Sequence, residues 1–274
     1  MNRAAPHREV IAALGAGRMG RGIATAFAYA GHQVWLVDAK VRSRAQADAL
    51  QREALAEIDA SLAAMAQWGM FDDRLRPAIL GRVRCAARDA APAALAQADV
   101  VFEGVPEVLE AKRDAFAFAA PHLRRDALVA STTSSFLVTQ LAGFAPCPER
   151  FLNAHWLNPA HVIPLVELSA HPGTDPDASR ALSELLERIG KVPVMCAATP
   201  GYIVPRLQSL IMNEAARMIE QGVATAADID RATRFGLGFR FANMGVVEFI
   251  DFGGNDILHH ASRYLAQALG DARY

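Results

Sequence analysis

The stretch that decides the fold is Val10-Ile-Ala-Ala-Leu-Gly-Ala-Gly-Arg-Met-Gly20, followed by Arg-Gly-Ile-Ala-Thr-Ala-Phe-Ala-Tyr-Ala30. Its first five residues are apolar and of strand length, the glycines mark a turn, and the remainder predicts a helix. Gly15 permits the tight turn, Gly17 lets the backbone approach a pyrophosphate, and Gly20 lets the helix lie close to the strand. Because the N-terminus of such a helix faces the phosphates, the pattern predicts a dinucleotide-binding turn.

A second strand, predicted at residues 33–37, ends at Asp38. An acid about 20 residues after the glycine turn is the expected partner of the adenosine ribose 2′-hydroxyl. Asp38 would repel a 2′-phosphate, so the sequence predicts NAD rather than NADP, although Lys40 and Arg42 lie close enough to weaken that preference. The alternative is a glycine-rich turn in an unrelated sheet protein.

Beyond this turn, apolar segments of strand length alternate with helical patterns. Strands are predicted at residues 83–85, 100–102, 127–131, 151–153, 165–168 and 192–194, and helices at 41–70, 107–120 and 176–189. This alternation predicts an α/β protein with a Rossmann-type, mostly parallel sheet and helices on both faces. From residue 204 to 261 only helical periodicities occur. We therefore expect a dinucleotide-binding domain over residues 1–198 and a smaller all-helical domain over 199–274.

A candidate catalytic pair lies in the segment His155-Trp-Leu-Asn-Pro-Ala-His-Val-Ile-Pro-Leu-Val-Glu167. An imidazole can take a proton from an alcohol near neutral pH, and a carboxylate on its other nitrogen fixes the tautomer and stabilises the imidazolium. His155 and Glu167 are thus predicted to form a proton-accepting dyad. The alternative is a buried structural histidine and a glutamate at the end of a strand.

Composition excludes several classes of protein. The chain has 274 residues, a net charge of -1 and 52% hydrophobic residues, which is typical of a globular enzyme without a nucleic-acid-binding surface. No apolar run reaches the roughly 18 residues of a membrane span, and the N-terminus lacks the apolar core of a signal peptide. We expect a cytoplasmic protein that contacts neither membrane nor nucleic acid.

The cysteines and histidines do not predict a metal site. Cys85, Cys147 and Cys196 are far apart and odd in number, so neither a disulfide framework nor a zinc site is indicated. His161 and the pair at 259–260 lack the spacing of zinc ligands and are interpreted as structural.

These residues carry a family resemblance. The chain resembles the L-3-hydroxyacyl-CoA dehydrogenase family over nearly its whole length, and five landmarks occur in the family's order. They are the glycine turn at 15–20, Phe-Glu-Gly-Val-Pro-Glu107 with Lys112, Thr133-Ser-Ser135, the block from His155 to Glu167, and Pro-Gly-Tyr-Ile-Val204. The resemblance implies an NAD-dependent dehydrogenase of fatty acid metabolism that assembles as a homodimer through its helical domain.

The resemblance also assigns roles to individual residues. It implies that His155 is the catalytic base, that Glu167 orients it, and that Ser134 is the hydroxyl near the substrate oxygen. It implies contacts to NAD from Arg18, Met19, Glu107, Lys112, Ser134 and Asn158, together with the three glycines and Asp38. For Ser134 the alternative is the N-cap of a helix over residues 136–142, and for Glu107 and Lys112 it is a solvated charge pair.

Three departures from the family's pattern bear on the substrate. Pro205 stands where the family usually has asparagine after Gly-Phe-Ile-Val, and proline offers neither a side-chain amide nor a backbone N–H. Thr132 stands where asparagine is common. The helical stretch at 58–69, which normally offers lysines to the phosphates of CoA, contains no basic residue.

Three functions therefore stay open. Family membership places oxidation of a short 3-hydroxyacyl-CoA first. The second candidate is the same chemistry on a smaller alcohol or hydrated aldehyde that bears a carboxylate, such as a sugar acid, carnitine or a pyridine carboxylate. Arg206 or Arg240 would then bind that carboxylate through the guanidinium fork, unless both are ordinary surface arginines. The third is a structural NAD-binding protein with little turnover.

Overall fold

The computed structural model describes residues 8–273, which form two compact units, one ending at Arg206 and the other beginning at Leu207. The strands are β1 Ile11–Leu14, β2 Val34–Val37, β3 Val83–Ala86, β4 Val100–Glu103, β5 Leu128–Ser131, β6 Phe151–Trp156, β7 Leu165–Ala170 and β8 Val192–Met195. The helices of the first unit are α1 Arg18–Tyr29, α2 Arg44–Gln67, α3 Arg76–Leu80, α4 Ala91–Leu95, α5 Leu109–Ala119, α6 Val138–Ala142 and α7 Pro176–Arg188. Then follow α8 Val204–Glu220, α9 Ala226–Ala232, a π-helix Thr233–Gly238, α10 Phe239–Phe241, α11 Val246–Gly253 and α12 Asn255–Leu269.

The eight strands form one sheet in the order β3-β2-β1-β4-β5-β6-β7-β8. Every neighbouring pair is parallel except β6 and β7, which are antiparallel. The predicted class, a mostly parallel Rossmann-type sheet followed by helices, is confirmed. Two short helices, α3 and α4, were not predicted, and β6 runs three residues beyond the predicted strand, which brings His155 inside it.

Helices cover both faces of the sheet because the central strands are apolar on both sides. In β1, Ile11 and Ala13 face a core that includes α1, α2 and α7. Ala12 and Leu14, one residue out of phase, face a second core built with α4 and α5. Strand alternation therefore supplies two hydrophobic layers from a single four-residue segment.

The turn from β1 into α1 requires glycine at two positions. Gly15 has φ +120, where L side chains rarely occur, and a Cβ there would lie 2.7 Å from the carbonyl oxygen of Gly104. A Cβ on Gly20 would lie 2.0 Å from the carbonyl oxygen of Gly15. Because these two residues have no Cβ, the start of α1 can pack closely against the ends of β1 and β4.

The second unit buries little of its own apolar surface. Among its residues up to 273, only Ile229 is buried. Large apolar side chains on its helices are exposed in the single chain, including Phe235, Phe239, Val247 and Phe252, each at least 72% exposed. Helices in proteins gain most of their stability from packing an apolar face, and the described residues of this unit do not bury these side chains among themselves.

No helix among residues 8–273 is long and apolar enough to cross a membrane. Within the same range, no three histidine, cysteine or acidic side chains form a group that could hold a metal ion.

Candidate active site

Most of the predicted site residues lie near the carboxyl ends of the parallel strands. The strand register aligns Leu14 with Glu103, Glu103 with Ser131, and Ser131 with Asn153. The glycine turn, the loop that contains Ser134 and the end of β6 therefore leave the sheet at one edge. In open α/β sheets this edge is where ligands bind.

His155 and Glu167 lie directly opposite each other on the antiparallel strands β6 and β7. The Nδ1 atom of His155 is 2.8 Å from Oε2 of Glu167, and the side chains are 5% and 0% exposed. A buried carboxylate is acceptor-only, so it favours the tautomer with the proton on Nδ1. Among residues 8–273, Nε2 of His155 makes no hydrogen bond, so it is available to accept a proton.

The second oxygen of Glu167 is bound by the backbone. The N–H groups of Ile203 and Val204 donate to Oε1 at 2.9 and 2.8 Å. Val204 begins α8, where N–H groups lack partners within the helix and favour a negative charge. Both oxygens of this buried carboxylate thus have partners, as burial of a charge requires.

Tyr202 was given no role by the sequence, but it lies against the dyad. Its ring stacks on the imidazole of His155 with centroids 4.8 Å apart and an interplanar angle of 15°. The only available signal was that tyrosine occupies the phenylalanine position of the family's Gly-Phe-Ile-Val motif. Nothing in the local sequence indicated which residue its ring would meet.

Ser134 lies in a loop held by one carboxylate. Oε1 of Glu107 accepts hydrogen bonds from the N–H of Ser134 at 3.0 Å, from the N–H and hydroxyl of Ser135 at 2.9 and 2.8 Å, and from the Thr133 hydroxyl. Ser134 itself is exposed at the sheet edge. The alternative that Ser134 caps a helix is wrong, because α6 begins later, at Val138, with Leu137 at its N-cap.

The negative charge of Glu107 is stabilised by neighbouring hydrogen-bond donors and by a lysine. Burial alone raises the pKa of this carboxyl, but the hydrogen bonds from Thr133 and Ser135 and the charge of Lys112 outweigh it and lower the pKa to about 2. Glu107 is therefore ionised at every pH at which the protein is expected to work.

Lys112 is 1% exposed, so the alternative of a solvated charge pair is wrong for this residue. Its ammonium lies 3.1 Å from each carboxylate oxygen of Glu103 and 3.2 Å from Oε2 of Glu107. The Ser131 hydroxyl donates to Glu103 from the neighbouring strand. In this arrangement Lys112 connects two carboxylates beneath the Ser134 loop.

The glycine turn fits a dinucleotide. A Cβ added to Gly17 would meet no atom within 4 Å, so the space in front of the N-terminus of α1 is open. Arg18, the first residue of α1, is exposed there, and Met19 is partly buried against the core. Open space, free N–H groups and the positive end of a helix suit a pyrophosphate.

Asp38 follows β2 and borders a cavity of about 690 Å³. Its Oδ2 accepts a hydrogen bond from Nε of Arg42 at 2.5 Å, and its Oδ1 accepts the N–H of Lys40 at 3.2 Å. Arg42, one of the two cations expected to weaken a preference for NAD, is therefore paired directly with Asp38, the acid that would cause this preference.

The remaining predicted residues lie outside these clusters. Asn158 is exposed and lines a cavity of about 150 Å³ together with Arg18. Arg206 is exposed in the first turn of α8, one residue after Pro205. In the second unit, the guanidinium of Arg240 lies 4.2 Å from the ring centroid of Phe249.

Comparisons with known proteins agree with this geometry. The family model described as "3-hydroxyacyl-CoA dehydrogenase, NAD binding domain" matches residues 10–199, and "3-hydroxyacyl-CoA dehydrogenase, C-terminal domain" matches residues 201–274. The chain is 33% identical to 3-hydroxybutyryl-CoA dehydrogenase of Bradyrhizobium diazoefficiens over 266 residues, covering 96% of this chain and 86% of that protein.

A pyridine carboxylate enzyme is similar as well. The chain is 31% identical over 260 residues to 5-formyl-3-hydroxy-2-methylpyridine 4-carboxylate 5-dehydrogenase of Mesorhizobium japonicum, covering 93% of this chain and 79% of that protein. A crystal structure of an enzyme of that name, described as an NAD⁺-dependent dismutase, superimposes with a TM-score of 0.83 at 29% identity, covering 96% of this chain and 81% of the other. With both family models matched along the chain and the sheet in place, this protein belongs to the 3-hydroxyacyl-CoA dehydrogenase family, whose members are NAD-dependent enzymes acting on CH–OH groups.

Proposed function

We propose that this protein oxidises an alcohol to the corresponding carbonyl compound, or a hydrated aldehyde to the corresponding carboxylic acid, with His155 as the general base. The observation that carries the proposal is the buried pair of His155 and Glu167, in which one imidazole nitrogen is fixed and the other is open. When bound, NAD is the acceptor for the hydride that leaves the substrate carbon. The chain itself supplies the base, its orientation and the binding surface.

The proton path follows from the tautomer. Nε2 of His155 accepts the hydroxyl proton while Nδ1 keeps its own proton toward Glu167. The imidazole becomes positively charged, and the adjacent carboxylate stabilises that charge within a buried site. Glu167 needs no proton of its own for this step, because two backbone N–H groups already hold its other oxygen. Ser134, exposed at the same edge, is the proposed hydrogen-bond donor to the substrate oxygen.

The first substrate candidate is a short 3-hydroxyacyl-CoA, which is the class named by the family. It is supported by family membership and by the similarity to 3-hydroxybutyryl-CoA dehydrogenase. The residues at 58–69, however, provide no cation for the CoA phosphates, and Pro205 provides no amide near the substrate carbonyl.

The second candidate is a small alcohol or aldehyde that bears a carboxylate. The same two departures favour it, since neither a CoA phosphate site nor an amide at position 205 is needed for such a molecule. The high TM-score to the pyridine carboxylate enzyme supports it further. We therefore infer that a small carboxylate is the better fit to this chain's own residues, with Arg206 or Arg240 as its counter-charge.

We also propose that two copies associate through the helical unit. Its apolar face is exposed in the single chain, and a groove of about 610 Å³ opens between α8 and α9. A symmetric contact between identical faces is the commonest way in which soluble proteins cover such a surface.

The proposed compartment is the cytoplasm. The three cysteines are unpaired and only partly buried, which suits a reducing environment. Localisation of a tagged full-length chain by fractionation tests this assignment.

The base is tested by His155→Gln. Turnover is expected to fall roughly 10²- to 10⁴-fold, as for loss of a general base, while NADH binding stays near that of the unaltered protein. Steady-state kinetics and NADH fluorescence titration measure the two effects. His122→Gln, at a half-buried histidine just after the C-terminal end of α5, serves as the matched control. Turnover close to normal in His155→Gln would refute the assignment.

The glycine turn is tested by a pair of alanine variants. In Gly17→Ala the new Cβ meets nothing in the free protein, so the melting temperature should be unchanged while NAD affinity falls roughly tenfold, equivalent to about 1.4 kcal/mol. In Gly20→Ala the new Cβ clashes with the Gly15 carbonyl oxygen, so the main expected effect is a lower melting temperature. Unchanged NAD affinity in Gly17→Ala would mean that the pyrophosphate lies elsewhere.

The role of Asp38 is tested by Asp38→Ala. Loss of the ribose acceptor should weaken NAD binding, and release of Arg42 should improve NADP binding relative to NAD. The double variant Asp38→Ala/Arg42→Ala should lose the gain in NADP affinity. A ratio of NAD to NADP affinity that does not change in Asp38→Ala would place the ribose away from this residue.

The substrate class is tested with a panel of 3-hydroxybutyryl-CoA, carnitine, a sugar acid and a formylpyridine carboxylate, measured by NADH formation. Pro205→Asn accompanies the panel; its fold should be retained, because position 205 lies in the first turn of α8. If the natural substrate is a small carboxylate, Pro205→Asn leaves that reaction unchanged or impaired and gains nothing on the thioester. A rise in thioester activity instead would favour the CoA candidate.

The dimer is tested by the mass in solution at micromolar concentration, which should be twice that of the chain. Val247→Asp places a charge on the exposed apolar face and should shift the mass toward the monomer. Leu75→Asp, on an exposed leucine of the first unit, is the control and should not change the mass. A monomeric mass for the unaltered protein would contradict the proposal.

A further inference from the structure

We propose that Tyr202 is a positioning residue, whose ring fixes the plane of the His155 imidazole and whose hydroxyl fixes the loop before Ser134. This inference rests on the proposed function. It concerns a residue that stands in place of the phenylalanine of the family's motif, so the hydroxyl is a feature of this chain.

The ring makes the first contact. Centroids 4.8 Å apart and planes inclined by 15° leave the two rings nearly parallel, in contact over their faces. Glu167 holds Nδ1 in place, but a single hydrogen bond tolerates some tilting of the imidazole by rotation about its Cβ–Cγ bond. The stacked ring removes this rotation, so Nε2 keeps one direction.

The hydroxyl makes the second contact. It accepts a hydrogen bond from Nδ2 of Asn153 at 2.9 Å and donates one to the carbonyl of Thr133 at 3.1 Å. Asn153 also donates to the carbonyl of Phe136 at 2.9 Å. These bonds attach β6 and Tyr202 to both sides of Ser134, whose own N–H is held by Glu107.

The backbone of Tyr202 makes the third contact. Its φ of 44 is the only positive φ of a non-glycine residue among residues 8–273. A bulky residue keeps this conformation only when its surroundings require it. Here it turns the chain so that the next two N–H groups donate to Glu167 while the ring lies over His155. One residue thus links the base, its carboxylate and the Ser134 loop.

The hydroxyl stays protonated throughout. Burial raises the pKa of Tyr202 well above its usual range, an effect that the hydrogen bond from Asn153 only partly offsets. The donor to the Thr133 carbonyl is therefore present at any working pH, and Tyr202 is not an acid or base in the reaction.

The test compares Tyr202→Phe, which keeps the ring and removes the hydroxyl, with Tyr202→Leu, which removes both. Tyr29→Phe is the matched control, since it also removes a hydroxyl that donates to a backbone carbonyl, at Met70, away from the sheet edge. Each protein is assayed in the direction of reduction, with NADH and acetoacetyl-CoA and with NADH and the formylpyridine carboxylate of the panel above.

In Tyr202→Phe, kcat should fall roughly tenfold, as for one lost hydrogen bond, with KM and NADH affinity within about twofold of normal. The primary deuterium isotope effect on kcat, measured with NADH deuterated at the transferred position, should be at least as large as in the unaltered protein, because the chemical step is the one that is slowed. Tyr202→Leu should lose more, and Tyr29→Phe nothing. Normal kcat in Tyr202→Phe, or a loss of kcat with a smaller isotope effect, would overturn the inference.

Measurements without substrate separate this inference from the proposed function. The carbon-bound proton of His155 between its ring nitrogens should show a ring-current shift in NMR that persists in Tyr202→Phe and vanishes in Tyr202→Leu. The amide of Ser134 should exchange faster with solvent in Tyr202→Phe than in Tyr29→Phe. If the unaltered protein turns over nothing but both effects occur, the proposed function fails and the positioning role stands. If neither effect occurs, the inference fails regardless of activity.

Discussion

The carboxylate of Glu167 is the interaction on which the rest of the site depends. It is completely buried, and a buried charge is tolerated only when its oxygens are bound. One oxygen binds His155 on the neighbouring strand, and the other binds the N–H groups of Ile203 and Val204. Loss of His155 would leave Oε2 without a donor, and loss of both N–H groups would leave Oε1 without one. The single antiparallel strand pair, the base and the start of α8 are therefore fixed together.

A second set of paired charges holds the Ser134 loop, with Lys112 and Glu103 buried and Glu107 partly exposed. Lys112 is compensated by Glu103 and Glu107, and Glu107 in turn holds the loop through one oxygen. His155, the proposed base, and Ser134, the proposed donor to the substrate oxygen, are thus positioned by separate networks. Tyr202 connects these networks, because it contacts His155 with its ring and the residue before Ser134 with its hydroxyl.

The sequence predicted the parts of this arrangement that depend on local pattern. The eight strands and the glycine turn follow from periodicity and backbone sterics. The sequence did not predict helices α3 and α4, because a helix of five residues is too short to show a helical periodicity of apolar residues. The contacts of Tyr202 escaped it because they depend on a positive φ and on three segments meeting, whereas the sequence around it only marked the start of a helix. The burial of Lys112 likewise depends on tertiary packing, which a local charge pattern does not reveal.

The first turn of α8 also limits how the protein can bind a substrate carboxylate. Helix N-termini commonly bind anions through free N–H groups, but here these groups are already occupied. Ile203 and Val204 donate to Glu167, Pro205 has no N–H, and Arg206 donates to the Gly201 carbonyl at 3.0 Å. The positive end of α8 therefore serves the dyad and leaves no backbone donor for a substrate carboxylate. A carboxylate-bearing substrate would need a side-chain cation, which is why an arginine, and not the helix, is the proposed counter-charge.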